Sequence, residues 1–267
     1  ILERQHNLED LRQSVRWSRE AGFENINLDL IFGVPQQSLE SWQRTLKMAL
    51  SMLPDHLSLY ALTIEHGTPL KWWVDRGLLS EPDQDLAADM YEFAMEYLEK
   101  AGYSHYEISN WARNNGNGMD RSCLHNLQYW RLLPYLGFGA GAHGFAAGFR
   151  TANVLSPAGY VRRVLNGEQR PTEFPTSSAV VELLPIDRRT EMGELMMMGL
   201  RLVREGVPEW RFFQRFESMI EQIYYKQVLE LTRYGLLEWV DEAESGRTLR
   251  LTSRGCLLGN RVFREFI

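Results

Sequence analysis

Residues 25–64 constrain the fold more than any other part of the chain. Apolar and polar side chains alternate over residues 25–32, as in a strand with one buried face. Residues 38–53 place apolar side chains three and four positions apart, which predicts an amphipathic helix capped by Ser38. Residues 57–64 are almost continuously apolar, as expected of a parallel strand covered on both faces. This order predicts a parallel β-α-β unit and hence an α/β fold.

The rest of the chain alternates helices and short strands and then changes character. Residues 156–186 contain four prolines and little periodicity, so we predict a linker there. The following part has the pattern of three helices, a hairpin and a last helix, which resembles a winged helix. We therefore predict an α/β part at 1–155, a linker at 156–186 and a small helical, winged-helix-like domain at 187–267. The segments predicted within them are helices starting after Asn7 and at 83–101, 188–205, 209–216 and 217–234, and strands around 106–108, 236–240 and 248–252.

Composition excludes several classes of protein. The chain has 29 basic and 35 acidic residues, a net charge of −6, which argues against bulk attraction to nucleic acid or anionic membranes. The longest stretch without a charged residue, 132–149, contains Pro134 and five glycines, too many helix breakers for a transmembrane helix. Two cysteines, Cys123 and Cys256, cannot build a disulfide framework. With no signal-like start, we expect a cytoplasmic protein without a transmembrane segment.

A glycine-rich segment formally matches the dinucleotide-binding fingerprint. Gly139-Ala-Gly141-Ala-His-Gly144 has the G-x-G-x-x-G spacing, but the residues after it are a poor helix start. No acidic residue lies between Asp120 and Glu168, where the fingerprint requires one. We therefore reject a Rossmann site. A close backbone approach to something flat or bulky remains the reason for these glycines.

Two other places in the sequence contain candidate ligand-binding residues. Asp29 is predicted at the carboxyl end of its strand, where a carboxylate suits a ribose hydroxyl, although capping of the next turn explains it equally well. In the hexamer from His125 to Trp130, the imidazole offers a nitrogen to a metal, Asn126 can bond a carboxylate, and the aromatic rings supply flat faces with polar tips. The alternative is a loop histidine beside two packing aromatics, and local sequence alone favours it. Cys123 and His125 lack a second ligand pair, which makes zinc unlikely.

Three remaining features have structural explanations that we favour. His105 fits a buried histidine with satisfied hydrogen bonds better than an acid/base group. The methionines at 196–198 fit core packing. Arginines cluster near the C-terminal hairpin, but residues 187–267 contain 13 basic and 13 acidic side chains, so DNA binding is a weak alternative.

Several segments together resemble one family, the radical SAM proteins related to oxygen-independent coproporphyrinogen III dehydrogenase, and within it the haem chaperone (HemW-like) branch. The matching segments, taken together and in this order, are specific to the family, whereas no single one of them is. The matching segments are Arg4-Gln-His6, Asn27-Leu-Asp29-Leu-Ile-Phe-Gly33-Val-Pro35, His56-Leu-Ser-Leu-Tyr60, Tyr106-Glu107-Ile-Ser-Asn110-Trp-Ala112, His125-Asn126-Leu-Gln-Tyr129-Trp130 and Leu136-Gly-Phe-Gly139-Ala-Gly141-Ala-His-Gly144.

The resemblance implies a fold and a set of ligands. The family fold is a partial (β/α)6 barrel that holds a [4Fe-4S] cluster and S-adenosylmethionine at the carboxyl ends of its strands, followed by the smaller domain. Resemblance implies haem as a further ligand, with His125 as the axial ligand of the iron. The residues that match S-adenosylmethionine contacts are Arg4, Asp29, Thr63 and His143, and those that match the haem motif are His125, Asn126, Tyr129 and Trp130.

The cysteines depart from the family pattern. The family holds its cluster with C-x-x-x-C-x-x-C, whereas Cys123 and Cys256 are 133 positions apart (256 − 123), so no cluster ligands are expected in this chain. We expect the chain to be the C-terminal portion of a protein whose cluster motif lies in about 120 preceding residues, at roughly 30 residues per βα unit.

The resemblance predicts what the parent protein does. We expect it to bind haem and deliver it to an unknown acceptor protein, with no nucleic acid as a partner. The alternative is oxidative decarboxylation of coproporphyrinogen III in porphyrin biosynthesis. We do not expect dehydrogenase activity from this chain by itself.

Overall fold

The computed structural model describes residues 6–114, 121–166, 173–242 and 246–267. Its contacts divide the chain into two compact units, Ile1–Cys123 and Leu124–Ile267. The division falls at 123/124, whereas the predicted boundary of the α/β part was 155. In the parts of the chain that the structure describes, no helix is long and apolar enough to cross a membrane.

The first unit is an α/β layer around a four-stranded sheet with strand order β1-β2-β4-β3. β1 and β2 are parallel, as predicted, and β4 runs antiparallel to both β2 and β3. The elements are α1 (Leu8–Glu20), β1 (Asn27–Phe32), α2 (Leu39–Ser51), β2 (His56–Ala61), α3 (Pro69–Asp75), α4 (Gln84–Lys100), β3 (Tyr103–Glu107) and β4 (Asn110–Arg113).

Local sequence explains where the main helices of this unit begin. Asn7 forms a capping box with Asp10 at the start of α1, and the Ser38 hydroxyl accepts from the Ser41 amide at the start of α2. Asp83 caps α4 in the same way. The apolar faces of α2 and α4 meet the sheet, and Trp42 is fully buried, with its indole N–H donating to the Met90 carbonyl at 2.8 Å.

The second unit contains two small sheets and the other helices that the structure describes. One sheet has the order β5-β6-β7 and the other β8-β10-β9, with antiparallel pairs throughout. The elements are α5 (Leu124–Trp130), β5 (His143–Ala146), β6 (Phe149–Asn153), α6 (Pro157–Asn166), β7 (Val180–Pro185), α7 (Arg188–Gly199), β8 (Val207–Pro208), α8 (Glu209–Phe216), α9 (Ile220–Arg233), β9 (Leu237–Glu242), β10 (Gly246–Leu251), α10 (Ser253–Leu257) and α11 (Gly259–Arg264).

The predicted linker 156–186 carries regular structure. It contains α6 and the strand β7, which pairs with β6 over Asn153↔Val180 to Phe149↔Pro185. Pro185 is tolerated because it ends an edge strand, where a missing amide donor costs little. Pro157 begins α6 and Pro185 ends β7, so these two prolines mark element ends and do not indicate an extended connection.

The C-terminal part has the predicted helices and hairpin. α7, α8 and α9 enclose a core that includes Met196, Phe212 and Tyr224, all fully buried, which confirms packing as the role of Met196. α9 begins three residues later than predicted, because Glu217 adopts a left-handed φ of 49° that ends α8. The helix predicted at 188–205 ends at Gly199, and Leu202 closes a turn onto the Gly199 carbonyl.

Candidate functional site

Asp29 lies in the middle of β1 and not at its carboxyl end. The pairing with β2 runs from Asn27↔His56 to Phe32↔Ala61, so three residues of strand follow Asp29. Its side chain is exposed on the polar face that the alternating pattern predicted. One carboxylate oxygen accepts a 2.7 Å hydrogen bond from the Asn27 amide nitrogen, and the exposed carboxylate can still accept further hydrogen bonds, as from a ribose hydroxyl.

A chain of hydrogen bonds that begins at the Cys123 amide ends at the Asp29 carboxylate and orients it. The Asn27 amide nitrogen donates to Asp29, so the Asn27 amide oxygen is the acceptor for His56 Nδ1 at 2.7 Å. His56 Nε2 then accepts from the Tyr106 hydroxyl at 2.9 Å. The Tyr106 oxygen in turn accepts from the Cys123 amide at 3.3 Å. His56 and Tyr106 are buried, and every bond of the chain points toward Asp29.

Thr63 and Arg4 are the other predicted S-adenosylmethionine contacts in the first unit. Thr63 is exposed and follows β2 by two residues, just after Leu62, whose amide donates to the Phe32 carbonyl at 2.9 Å. Thr63 is therefore beyond the carboxyl end of a parallel strand, where ligands of such sheets bind. Arg4 lies outside the described residues.

The hexamer that matches the haem motif lies in the helix α5 and not in a loop. His125 is exposed and its ring makes no hydrogen bond to any described residue. Tyr129 follows it by one helical turn and meets the imidazole edge-on, with ring centroids 4.8 Å apart. Tyr135 packs against Tyr129 at 4.6 Å, and burial raises the pKa of the Tyr135 hydroxyl. Tyr129 and Tyr135 thus form an aromatic row beside the exposed imidazole.

Trp130 and Asn126 complete the hexamer. Both are half-buried. The guanidinium of Arg201 lies 5.0 Å from the centre of the Trp130 ring, so the indole packs against the C-terminal helices. The Trp130 indole nitrogen is buried and has no hydrogen-bond partner among the described residues. All four predicted haem residues thus share one short helix, with Trp130 as its inner anchor and His125 as its outer group.

Exposed apolar side chains flank this helix. Leu124, at its start, is 80% exposed, and Phe138, in the segment that follows, is 82% exposed. That segment is tied to α5 because the Gln128 amide nitrogen donates to the Pro134 carbonyl at 2.7 Å. Exposed apolar groups of this size favour contact with an apolar ligand or partner over contact with water. Two leucines of the same segment, Leu133 and Leu136, are also exposed.

Two glycines of the glycine-rich segment are crowded by the chain itself, whereas a Cβ on Gly139 would meet nothing within 4 Å. A Cβ on Gly137 would lie 2.4 Å from the His143 carbonyl oxygen, and one on Gly144 would lie 2.7 Å from the Thr151 hydroxyl. Gly139 and Gly141 adopt φ of 103° and 68°, which side chains rarely allow. The segment leads into the hairpin of β5 and β6, which agrees with the rejection of a helix and a Rossmann site.

His143 is the first residue of β5 and is exposed. It belongs to the second unit, whereas Asp29 and Thr63 belong to the first. Its neighbour Ala142 accepts from the Asn153 amide at 2.9 Å, and the Asn153 side chain donates to the Gly137 and Gly139 carbonyls at 3.0 Å each. Buried Asn153 therefore shapes the loop that ends at His143.

Four residues around these sites received no role from the sequence: His56, Tyr106, Tyr135 and Asn153. Their contributions depend on pairing between distant strands or on loop closure, which local patterns do not reveal. A signal existed for two of them, because His56 and Tyr106 stand in segments that carry the family resemblance. His105, by contrast, stacks on Trp111 at 4.1 Å between centroids, as expected of a histidine inside the fold.

Comparison with known proteins shows which families and proteins this chain is similar to. Residues 186–258 match the family model of the HemN C-terminal domain. The haem chaperone HemW of Bacillus subtilis is 35% identical over 99% of this chain and 64% of its own length, and that of Lactococcus lactis is 34% identical over the same shares. A zebrafish (Danio rerio) protein called mitochondrial radical S-adenosyl methionine domain-containing protein 1 is 32% identical over 96% of the chain and 54% of its own length.

The fold has a solved counterpart. The Escherichia coli coproporphyrinogen III oxidase HemN, described as a radical SAM enzyme, superposes with a TM-score of 0.69 at 18% identity, over 99% of this chain and 60% of its own. The predicted fold class, the C-terminal part of a radical SAM barrel followed by a small helical domain, is thereby confirmed. The chain spans 64% of the length of the two bacterial HemW relatives.

Proposed function

The chain belongs to the HemW-like family of radical SAM proteins, and on that premise we propose that the protein containing it is a haem chaperone that binds haem through His125. The observation that carries the proposal is the exposed imidazole of His125, which has no hydrogen-bond partner among the described residues and is supported edge-on by Tyr129. A neutral imidazole nitrogen is a common axial ligand of haem iron.

The surroundings of His125 suit a porphyrin. A porphyrin is flat, largely apolar and edged with polar groups, so its binding surface needs aromatic or aliphatic side chains around the iron ligand. Tyr129 and the exposed Leu124 offer such surface, and the Asn126 amide is proposed to bond a propionate. The exposure of the helix favours release to an acceptor as well as binding, which is what a carrier requires. The acceptor protein and the cytoplasmic location stay predictions.

S-adenosylmethionine is proposed as a second ligand of the parent protein. Asp29 and Thr63 fit this ligand chemically, because an exposed carboxylate and a hydroxyl can bond the ribose and amino groups of a nucleoside. His143 and Arg4 are proposed as further contacts. With a reduced [4Fe-4S] cluster, S-adenosylmethionine supplies a 5′-deoxyadenosyl radical in this superfamily.

The cysteines of this chain do not fit as cluster ligands. Cluster ligation needs thiolates, and burial raises the pKa of the Cys256 thiol to about 12. Cys123 is a single half-buried thiol. The ligands of the proposed cluster therefore belong to another part of the parent protein. Decarboxylation of coproporphyrinogen III is supported here only by the fold likeness at 18% identity, which concerns fold and not substrate.

Haem titration of the full-length protein tests the proposal. The His125→Ala variant is compared with wild type and with His66→Ala, which removes another exposed histidine. We expect a Soret band that saturates with haem in wild type and in the control, and a shifted, weakened band in His125→Ala. Unchanged stoichiometry and spectrum in His125→Ala would contradict the assignment.

A further inference from the structure

An open groove of about 370 Å³ lies between α8, the start of α9 and β10 in the second unit. Its walls are mostly apolar, and two of its aromatic side chains, Trp210 and Phe213, are each 51% exposed. Met219 lines it as well. Rings of this size left half in water, beside a concave surface, favour the docking of another molecule.

The groove also contains a carboxylate, Glu209, one buried oxygen of which has no hydrogen-bond donor within the described chain. Glu209 is 9% exposed, and its Oε1 atom makes no hydrogen bond within the described chain. The nearest cation is Arg247, whose Nη1 lies 3.8 Å from that oxygen, beyond hydrogen-bond distance. A buried carboxylate oxygen without a donor is costly, because it has lost its hydration and gained no replacement.

Arg247 lies closer to Glu221 than to Glu209. Its guanidinium donates to both carboxylate oxygens of Glu221, at 2.9 and 3.3 Å, and lies 3.9 Å over the Trp239 ring. Glu209, Glu221 and Arg247 therefore carry a summed charge of −1 beside the groove. Arg211, the other cation near Trp210, is paired with Glu205 at 2.6 Å.

We propose that this groove docks an arginine or lysine side chain that a partner polypeptide presents between apolar residues. The cation supplies the donor that Glu209 lacks, and its aliphatic stem and neighbours cover Trp210 and Phe213. A purely apolar ligand would bury the carboxylate further without pairing it, and a nucleic acid would bring phosphates against it. Charge and apolarity together thus select a basic peptide segment.

The test uses the whole 267-residue chain labelled with 5-fluorotryptophan and observed by fluorine NMR. The chain has eight tryptophans, and the signal that is missing from the Trp210→Phe variant is that of Trp210. The probe is the peptide acetyl-Leu-Arg-Leu-amide, and its control is the same peptide with uncharged citrulline in place of arginine. We expect the arginine peptide to shift the Trp210 signal saturably. Citrulline and the Glu209→Gln variant should each weaken the binding by about tenfold or more, since a charge-assisted hydrogen bond is lost.

Glu230→Gln is the matched variant, because it removes the same charge from an exposed position on α9. It should bind the arginine peptide like wild type. The fluorine signals of the other tryptophans report whether each variant is folded. Equal affinity for the two peptides, equal affinity of Glu209→Gln and wild type, or no saturable shift up to the solubility limit of the peptide would each overturn the proposal.

Discussion

His56 lies in the middle of the hydrogen-bond chain that ends at the Asp29 carboxylate. Replacing it by phenylalanine keeps the volume but removes the buried Nε2 atom that accepts a hydrogen bond from the Tyr106 hydroxyl. We expect His56→Phe to lower the free energy of unfolding by about 2 kcal/mol, measured by urea denaturation. His66→Phe, at an exposed position, should change it little. A His56 variant as stable as wild type would show that the chain of bonds contributes nothing to the fold.

For single residues, the sequence predicted some features correctly and others incorrectly. Resemblance singled out His125, and the structure places its ring where a ligand can reach it. Asp29 was predicted on the polar face of its strand, correctly, but at the wrong position along it. Strand ends depend on how long the pairing with the neighbour continues, and here β1 pairs with β2 as far as Phe32. Alternation of polar and apolar residues carries no information about that length.

Glu205 joins the segment after α5 to α8 within the second unit. It accepts three hydrogen bonds of 3.1, 3.0 and 2.7 Å from Arg131 and pairs with Arg211. Burial by itself would raise the pKa of Glu205, but the bonds from Arg131 and the charge of Arg211 outweigh it, so the pKa is lowered. A lowered folded-state pKa stabilises the protein above the unfolded-state value, and the stabilisation is lost as the pH falls through the folded-state value.

We therefore expect Glu205→Gln to cost about 2 kcal/mol of unfolding free energy at pH 7 and progressively less below about pH 4.5. Urea denaturation of wild type and variant between pH 7 and pH 3 measures the difference. The exposed Glu230→Gln serves as the control and should cost little at any pH. A Glu205→Gln cost that did not change with pH would contradict this electrostatic account.

Among the elements, long amphipathic helices were predictable and short ones were not. α2 follows from apolar spacing and a serine cap, and the structure reproduces both. α5 has seven residues and one buried side chain, Leu127, so periodicity cannot separate it from a loop. β7 escaped prediction because its partner β6 lies across an intervening helix, and nonlocal pairing leaves no local pattern.

For the whole chain, the cysteine arrangement decides what chemistry it can perform by itself. One buried thiol with a pKa of about 12 and one other cysteine cannot supply three thiolates to a cluster. We expect no 5′-deoxyadenosine when this chain is incubated with S-adenosylmethionine, iron, sulfide and dithionite. Chromatography of the reaction mixture checks this, with a protein that carries the C-x-x-x-C-x-x-C motif as the positive control. Formation of 5′-deoxyadenosine by this chain would contradict the assignment of its cysteines.

Ligation of haem iron by His125 is the central claim, and chemical rescue tests it most directly. The full-length His125→Gly variant is loaded with ferric haem, titrated with imidazole, and followed by its Soret band and electron paramagnetic resonance spectrum. We expect imidazole to restore the wild-type spectrum in this variant and to leave the His66→Gly control, already ligated, unchanged. A variant with the wild-type spectrum before imidazole is added would show that another residue holds the iron.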